Sequence, residues 1–83
     1  MKHIGLFEGI GGFSLAASWM GWDTIATCEI DSFCRAILNY YWPDAYHHKD
    51  IKNLTYETIN NELQNRFGTH WRDDTIVLTG GFP

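Results

Sequence analysis

Two carboxylates and a cluster of glycines are the residues of this 83-residue chain whose types and spacing could do chemistry. Gly9, Gly11 and Gly12 follow a short apolar run that ends at Phe7. Glycines there permit unusual backbone dihedrals and let a ligand come close to the main chain. If a helix begins behind them, its free N–H groups and its dipole favour an anionic group such as a carboxylate or phosphate. Glu29 lies 18 residues beyond Gly11, close to the spacing at which an acid in a nucleotide-binding unit accepts hydrogen bonds from ribose hydroxyls. A carboxylate suits that task because two acceptor oxygens match two neighbouring donors. Asp50 could accept from an exocyclic amine such as that of adenine, and Ile30 and Ile51 could flank a flat ring.

Each of these residues also has a plainer role open to it. Glu29 could be a solvated loop acid or favour the N-terminus of the next helix. Asp50 could be a turn aspartate bonding its own backbone, and the isoleucines could be simple core. His47 and His48 have no partner at recognisable metal-ligand spacing and read as a neutral or surface pair. Cys28 and Cys34 fit small buried residues in a reducing compartment rather than a disulfide framework. Trp42 and Trp71 read as packing residues. On the residues alone, the ligand contains an adenosine, and NAD and S-adenosylmethionine both stay open. Ser14 stands where the third glycine of G-x-G-x-x-G would fall, which weighs against a dinucleotide.

The elements that must position these residues alternate along the chain. Ile4 to Phe7 reads as a first strand, followed by a helix whose inner face would hold Phe13, Ala16, Ala17 and Met20. Leu15 and Trp19 add a second apolar flank, which implies burial on more than one side, and Gly21 fits a C-terminal cap. Thr24 to Cys28 is a second strand. Asp31 caps a helix that would bury Phe33, Ala36, Ile37 and Tyr40 and must stop near Trp42, before Pro43. Ala45 to His48 is a short third strand, with Asp50 and Ile51 in the turn behind it. Thr55 caps a third helix with Ile59, Leu63 and Phe67 inward, ending at Gly68, and Thr75 to Thr79 is a β-branched run typical of a buried parallel strand.

This β-α-β-α-β-α-β order predicts a Rossmann-like α/β fold, a parallel sheet of about four strands with helices on both faces. Right-handed crossovers bring the C-terminal ends of the strands to one edge, where ligands bind in such folds. The glycine turn, Glu29, Asp50 and Gly80 to Pro83 all fall at those ends. The length allows one small domain or part of a larger one. A formal charge of −4 gives no electrostatic footprint for nucleic acid. No run is long and apolar enough to span a membrane and no signal-peptide pattern opens the chain, so the cytoplasm is the expected location.

Four motifs in order then resemble the DNA cytosine-5 methyltransferases: Leu6-Phe7-Glu8-Gly9-Ile10-Gly11-Gly12-Phe13, Glu29-Ile30-Asp31, Asp50-Ile51 and Gly80-Gly81-Phe82-Pro83. Glu8, Gly5 and Lys49 depart from that family's usual residues. The resemblance implies an S-adenosylmethionine site in the N-terminal part of a catalytic domain. By it Phe7 packs against the adenine, the backbone of Gly9, Gly11 and Gly12 meets the methionine end, and Glu29 holds the ribose hydroxyls. Ile30 packs on the adenine face, Asp50 with Ile51 reads its edge, and Gly81, Phe82 and Pro83 open the loop facing the target base. The family's nucleophilic cysteine would follow Pro83, and neither Cys28 nor Cys34 stands in that loop. The chain is therefore expected to be a cofactor-binding portion of a prokaryotic or phage modification enzyme, inactive alone, with DNA contacted through regions not in these 83 residues. It is also expected to self-associate, or to pair with a complementary chain, through Thr75 to Thr79. The alternatives are a non-catalytic binding or assembly module, half of a split methyltransferase, or an NAD-dependent unit.

Overall fold

Short strands alternate with helices in the order β1 (Lys2–Leu6), α1 (Gly12–Trp19), β2 (Asp23–Cys28), α2 (Ser32–Tyr41), β3 (Tyr46–His48), α3 (Tyr56–Phe67) and β4 (Ile76–Gly80). Short 3-10 turns at Ile51–Asn53 and Trp71–Asp73 precede α3 and β4 respectively. The structure is a computed structural model that describes residues 1–7 and 12–80, without the side chain of Phe13. Each boundary has a local cause. Asp31 accepts the N–H groups of Phe33 and Cys34 at the start of α2, and Thr55 accepts that of Thr58 at the start of α3. Gly21 and Gly68 adopt φ of 78° and 84° behind α1 and α3, a region that costs glycine nothing. Trp42 leaves helical geometry just before Pro43.

The strands form one parallel sheet in the order β3-β2-β1-β4. Register sets Leu6 opposite both Cys28 and Gly80, and Cys28 opposite His48. The last residues of all four strands thus lie in one row, and the loops behind them leave from one edge. The chain steps outward from β1 to β2 to β3 and then returns to the far side of β1. Right-handed connections therefore put α1 and α2 on one face and α3 on the other. A register shift between His3 and Ile4 admits Ile25 as an extra residue on β2. Ile25 joins Ile4, Ala26, Leu63 and Trp71 in the core, with Leu6, Tyr46, Ile59 and Ile76 packed around it.

Sequence periodicity placed the strands within a residue or two but misjudged two helix faces. Among the described side chains of α1, Ser14 and Ala17 are buried, whereas Leu15, Ala16 and Trp19, and Met20 just after the helix, are exposed, Trp19 by 78%. Small side chains let this helix approach the sheet closely, so the bulky ones turn outward rather than forming a second buried flank. The buried Ser14 also fills the steric role of the third glycine, which serves close helix–strand packing. In α2, Leu38 is fully buried and Cys34 and Ile37 half-buried. Phe33, Ala36 and Tyr40 face solvent, Phe33 and Tyr40 by 71% and 79%. In α3, Leu63 is buried and Ile59 packs on the core, while Phe67, expected inward, is exposed at the last residue of the helix.

The sheet face toward α1 and α2 is polar. His3 is fully buried, its Nδ1 2.9 Å from Thr24 Oγ1 and its Nε2 2.7 Å from Thr79 Oγ1. One ring on β1 thereby ties both neighbouring strands. His47 Nε2–H donates to the Trp42 carbonyl at 2.8 Å, and its Nδ1 accepts from the Thr27 hydroxyl at 2.6 Å. Burial lowers the pKa of His3 from the ordinary 6.5. Burial, and to a lesser extent Arg66, lowers that of His47 against the opposing pull of the Trp42 carbonyl. The folded state therefore resists protonation of both rings, whereas the unfolded chain takes up protons as the pH falls below 6.5. Stability is therefore full above that value and falls with acidification, with uptake of up to about two protons on unfolding. Urea midpoints measured from neutral pH downward should fall accordingly, and His3→Gln with His47→Gln should flatten the slope.

Candidate functional site

The row of strand ends opens onto a cavity of about 210 Å³. Phe7 enters it from the end of β1, Cys28, Glu29 and Ile30 from the end of β2, and Asp50 and Ile51 from the turn behind β3; Lys49 and Lys52 complete the lining. Phe7 lies just past β1 rather than within it, with φ of 53°. That left-handed conformation costs a non-glycine residue about 1 kcal/mol or more. Its N–H donates to the Cys28 carbonyl at 2.8 Å, so the turn is held against β2 at the mouth of the cavity.

Glu29 and Asp50 each accept a local backbone hydrogen bond and line the cavity. The Glu29 N–H donates to the His48 carbonyl at 3.0 Å, which extends the β2–β3 pairing by one residue. Its Oε2 accepts the Asp31 N–H at 3.0 Å. Asp50 Oδ1 accepts the Lys52 N–H at 3.0 Å and caps the 3-10 turn. Local backbone bonds thus orient both carboxylates while both remain part of the cavity lining. Ile30 is 65% exposed and Ile51 is also exposed, so apolar surface stands open beside the acids. An apolar cleft with a few fixed polar groups is the usual form of a small-molecule site.

Gly12 is the first residue of α1, and a Cβ there would meet nothing within 4 Å. Gly9 and Gly11, and Gly81, Phe82 and Pro83, lie outside the described residues. Burial first, then the charges of Asp50 and Glu29, push the Cys28 thiol up. Burial, Asp31 and Glu29 do the same to Cys34. Neither is set up as a thiolate. Among the described residues no group of three or more His, Cys, Asp or Glu side chains could hold a metal ion, and no helix is long and apolar enough to cross a membrane.

The sequence profile of the C-5 cytosine-specific DNA methylases matches residues 1–83. The chain belongs to that family. A curated relative, the type II methyltransferase M2.BsuMI of Bacillus subtilis (strain 168), is 35% identical over 54 residues, 65% of this chain and 14% of that protein. A crystal structure assigned as a DNA modification methyltransferase encoded within an E. coli prophage matches all of the chain with a TM-score of 0.79 and 30% identity. This chain spans 22% of that one. The α/β fold of this chain is that of the matched structure.

Two residues that hold the strand ends, Arg35 and His48, carry no distinguishing sequence signal. Arg35, on the first turns of α2, donates from one guanidinium nitrogen to the carbonyls of both Glu29 and Ile30 at 3.1 Å. On the other side His48 ties the end of β3 to the 3-10 turn. Its Nε2–H donates to Asn53 Oδ1 and its Nδ1 accepts from the Tyr46 hydroxyl, both at 2.6 Å. The histidine pair is therefore half-buried and doubly bonded, not a surface pair. An arginine one turn into an amphipathic helix has no distinguishing pattern, because its partners are main-chain carbonyls. Arg35→Met keeps the stem and removes the donors. It should cost about 1–2 kcal/mol in urea unfolding and speed amide exchange at Glu29 to Asp31 more than elsewhere in β2.

Proposed function

We propose that the C-terminal edge of this sheet is the S-adenosylmethionine-binding portion of a DNA cytosine-5 methyltransferase. One observation carries the reading: in a chain of the methylase family, Phe7, Glu29, Ile30, Asp50 and Ile51 reach one cavity from three separate strand ends. Apolar side chains beside two carboxylates fit a flat heterocycle that carries hydroxyl and amine donors. In this reading Phe7 and Ile30 pack on the adenine, Glu29 accepts from the ribose hydroxyls, and Asp50 with Ile51 reads the adenine edge. The backbone of Gly9, Gly11 and Gly12 receives the methionine end, and Gly81, Phe82 and Pro83 face the target base. The bound cofactor supplies an electrophilic methyl group on a sulfonium. What these residues contribute is binding and orientation, with Arg35 and His48 holding the loops that carry the acids.

Methylation at C5 of cytosine requires a thiolate to attack C6 of a base taken out of the stack. Cys28 and Cys34 have raised thiol pKa values and lie in β2 and α2, so the 83 residues supply the cofactor side of that reaction and not its nucleophile. DNA is then met by other parts of the methyltransferase.

The outer edge of β4 also takes part in association in this reading. Among the described residues β4 pairs with β1 alone, and Leu78 on it is 64% exposed. Unpaired edge groups and an apolar side chain favour addition of another strand, from a second copy or a complementary chain. Light scattering of the purified chain should show dimers or larger species that Leu78→Lys shifts toward monomer. A monodisperse monomer at high concentration would remove this part of the proposal.

Calorimetric titration with S-adenosylmethionine should show binding that Glu29→Ala weakens by roughly tenfold or more, the worth of hydrogen bonds to a charged group. Equal binding by both proteins would take Glu29 out of the site. The same preparation should transfer no methyl group to cytosine in DNA; detected transfer would overturn the assignment of the nucleophile elsewhere.

A further inference from the structure

The opposite, N-terminal edge of the sheet carries a larger depression, of about 340 Å³, that cofactor binding leaves unused. Its aromatic lining comes from the ends of all three helices: Trp22 shortly after α1, Tyr41 and Trp42 at the end of α2, and Phe67 at the end of α3. The rings of Tyr41 and Trp42 stand 6.1 Å apart at 60°. Two carboxylates, Asp23 and Asp44, join them, and both residues are exposed.

The backbone contributes charge of the same sign. Three α-helices end at this edge, and a helix C-terminus carries unsatisfied carbonyls and the negative pole of the dipole. The last turns of α1 and α2 hold no basic residue to offset it. Arg66, in the last turn of α3, is engaged elsewhere: it lies 3.8 Å from Glu62 and over the Tyr46 ring at 5.5 Å. Lys2 is the one cationic side chain in the lining, and its Nζ lies 3.5 Å from Asp74. The chain as a whole carries a formal charge of −4.

Aromatic rings, two acids and three helix C-termini around one depression favour a cation that can also lie flat against aromatic rings. A guanidinium meets that description better than an ammonium. It is weakly hydrated, stacks on aromatic faces and forks onto carboxylates. We propose that this depression is a second binding site, for a guanidinium group presented by an arginine side chain of a partner polypeptide.

The probe is N-acetyl-arginine methylamide, titrated into the labelled 83-residue chain while the indole N–H resonances are followed by NMR. The resonances of Trp22 and Trp42 should shift saturably and that of the core residue Trp71 should not. The citrulline counterpart, equal in shape but uncharged, should leave all of them in place. Asp23→Asn with Asp44→Asn should weaken the arginine response by about fivefold or more, as loss of charge partners at a partly exposed cation site implies. An unchanged Trp71 resonance in that variant establishes that it is folded. Absence of shifts, equal shifts with citrulline, or an undiminished response in the double variant would each overturn the proposal. S-adenosylmethionine binding at the far edge should be the same with and without the arginine probe.

Discussion

Parallel pairing of β1 on both of its sides is the constraint from which the rest of the structure follows. Five residues, Lys2 to Leu6, run against β2 on one side and β4 on the other, in registers that bring Leu6 level with Cys28 and Gly80. Because β3 continues the row at His48, every loop that follows a strand starts from the same edge. The site is therefore a product of strand register before it is a product of any one side chain. A slip of one residue would reverse the face of every side chain on the slipped strand. Buried His3 opposes such a slip by bonding hydroxyls on both neighbours at once.

That polar tie accounts for much of how the helices sit. One face of the sheet is closed by apolar packing, with Leu63 and Trp71 over Ile4 and Ile25. The other holds His3, Thr27 and His47, whose partners are hydroxyls and a carbonyl rather than apolar side chains. Helix α1 buries small residues, Ser14 and Ala17, and turns its tryptophan outward. Hydrogen bonds in a buried network specify geometry more than they add net stability. The exacting register thus coexists with a small apolar core.

Much of the fold is legible in the sequence, as is the gathering of several candidate site residues at one sheet edge. Turn chemistry was read correctly, as Asp31, Thr55, Gly21 and Gly68 cap the elements they were expected to cap. Strands β2 and β4 are legible as β-branched runs between turns, and β1 and β3 as short segments set between turn and helix signals. The helix faces were not. Apolar periodicity names the residues that could be buried, but the sheet under α1 and α2 leaves room for Ser14, Ala17 and Leu38 rather than for Phe33 or Tyr40. Phe7, Glu29, Ile30, Asp50 and Ile51 are brought together as their positions at strand ends implied. Arg35 and His48 were out of reach of sequence reading because their contacts depend on loop geometry.

The central claim is that these strand ends converge to hold one adenosine-bearing methyl donor. Amide chemical-shift mapping with S-adenosylhomocysteine, which has the same adenosine and no methyl to transfer, tests it most directly. Saturable shifts are expected, concentrated at Phe7, Gly12, Glu29, Ile30, Asp50 and Ile51. Shifts centred instead on the N-terminal ends of the strands, or none at saturating concentration, would contradict it.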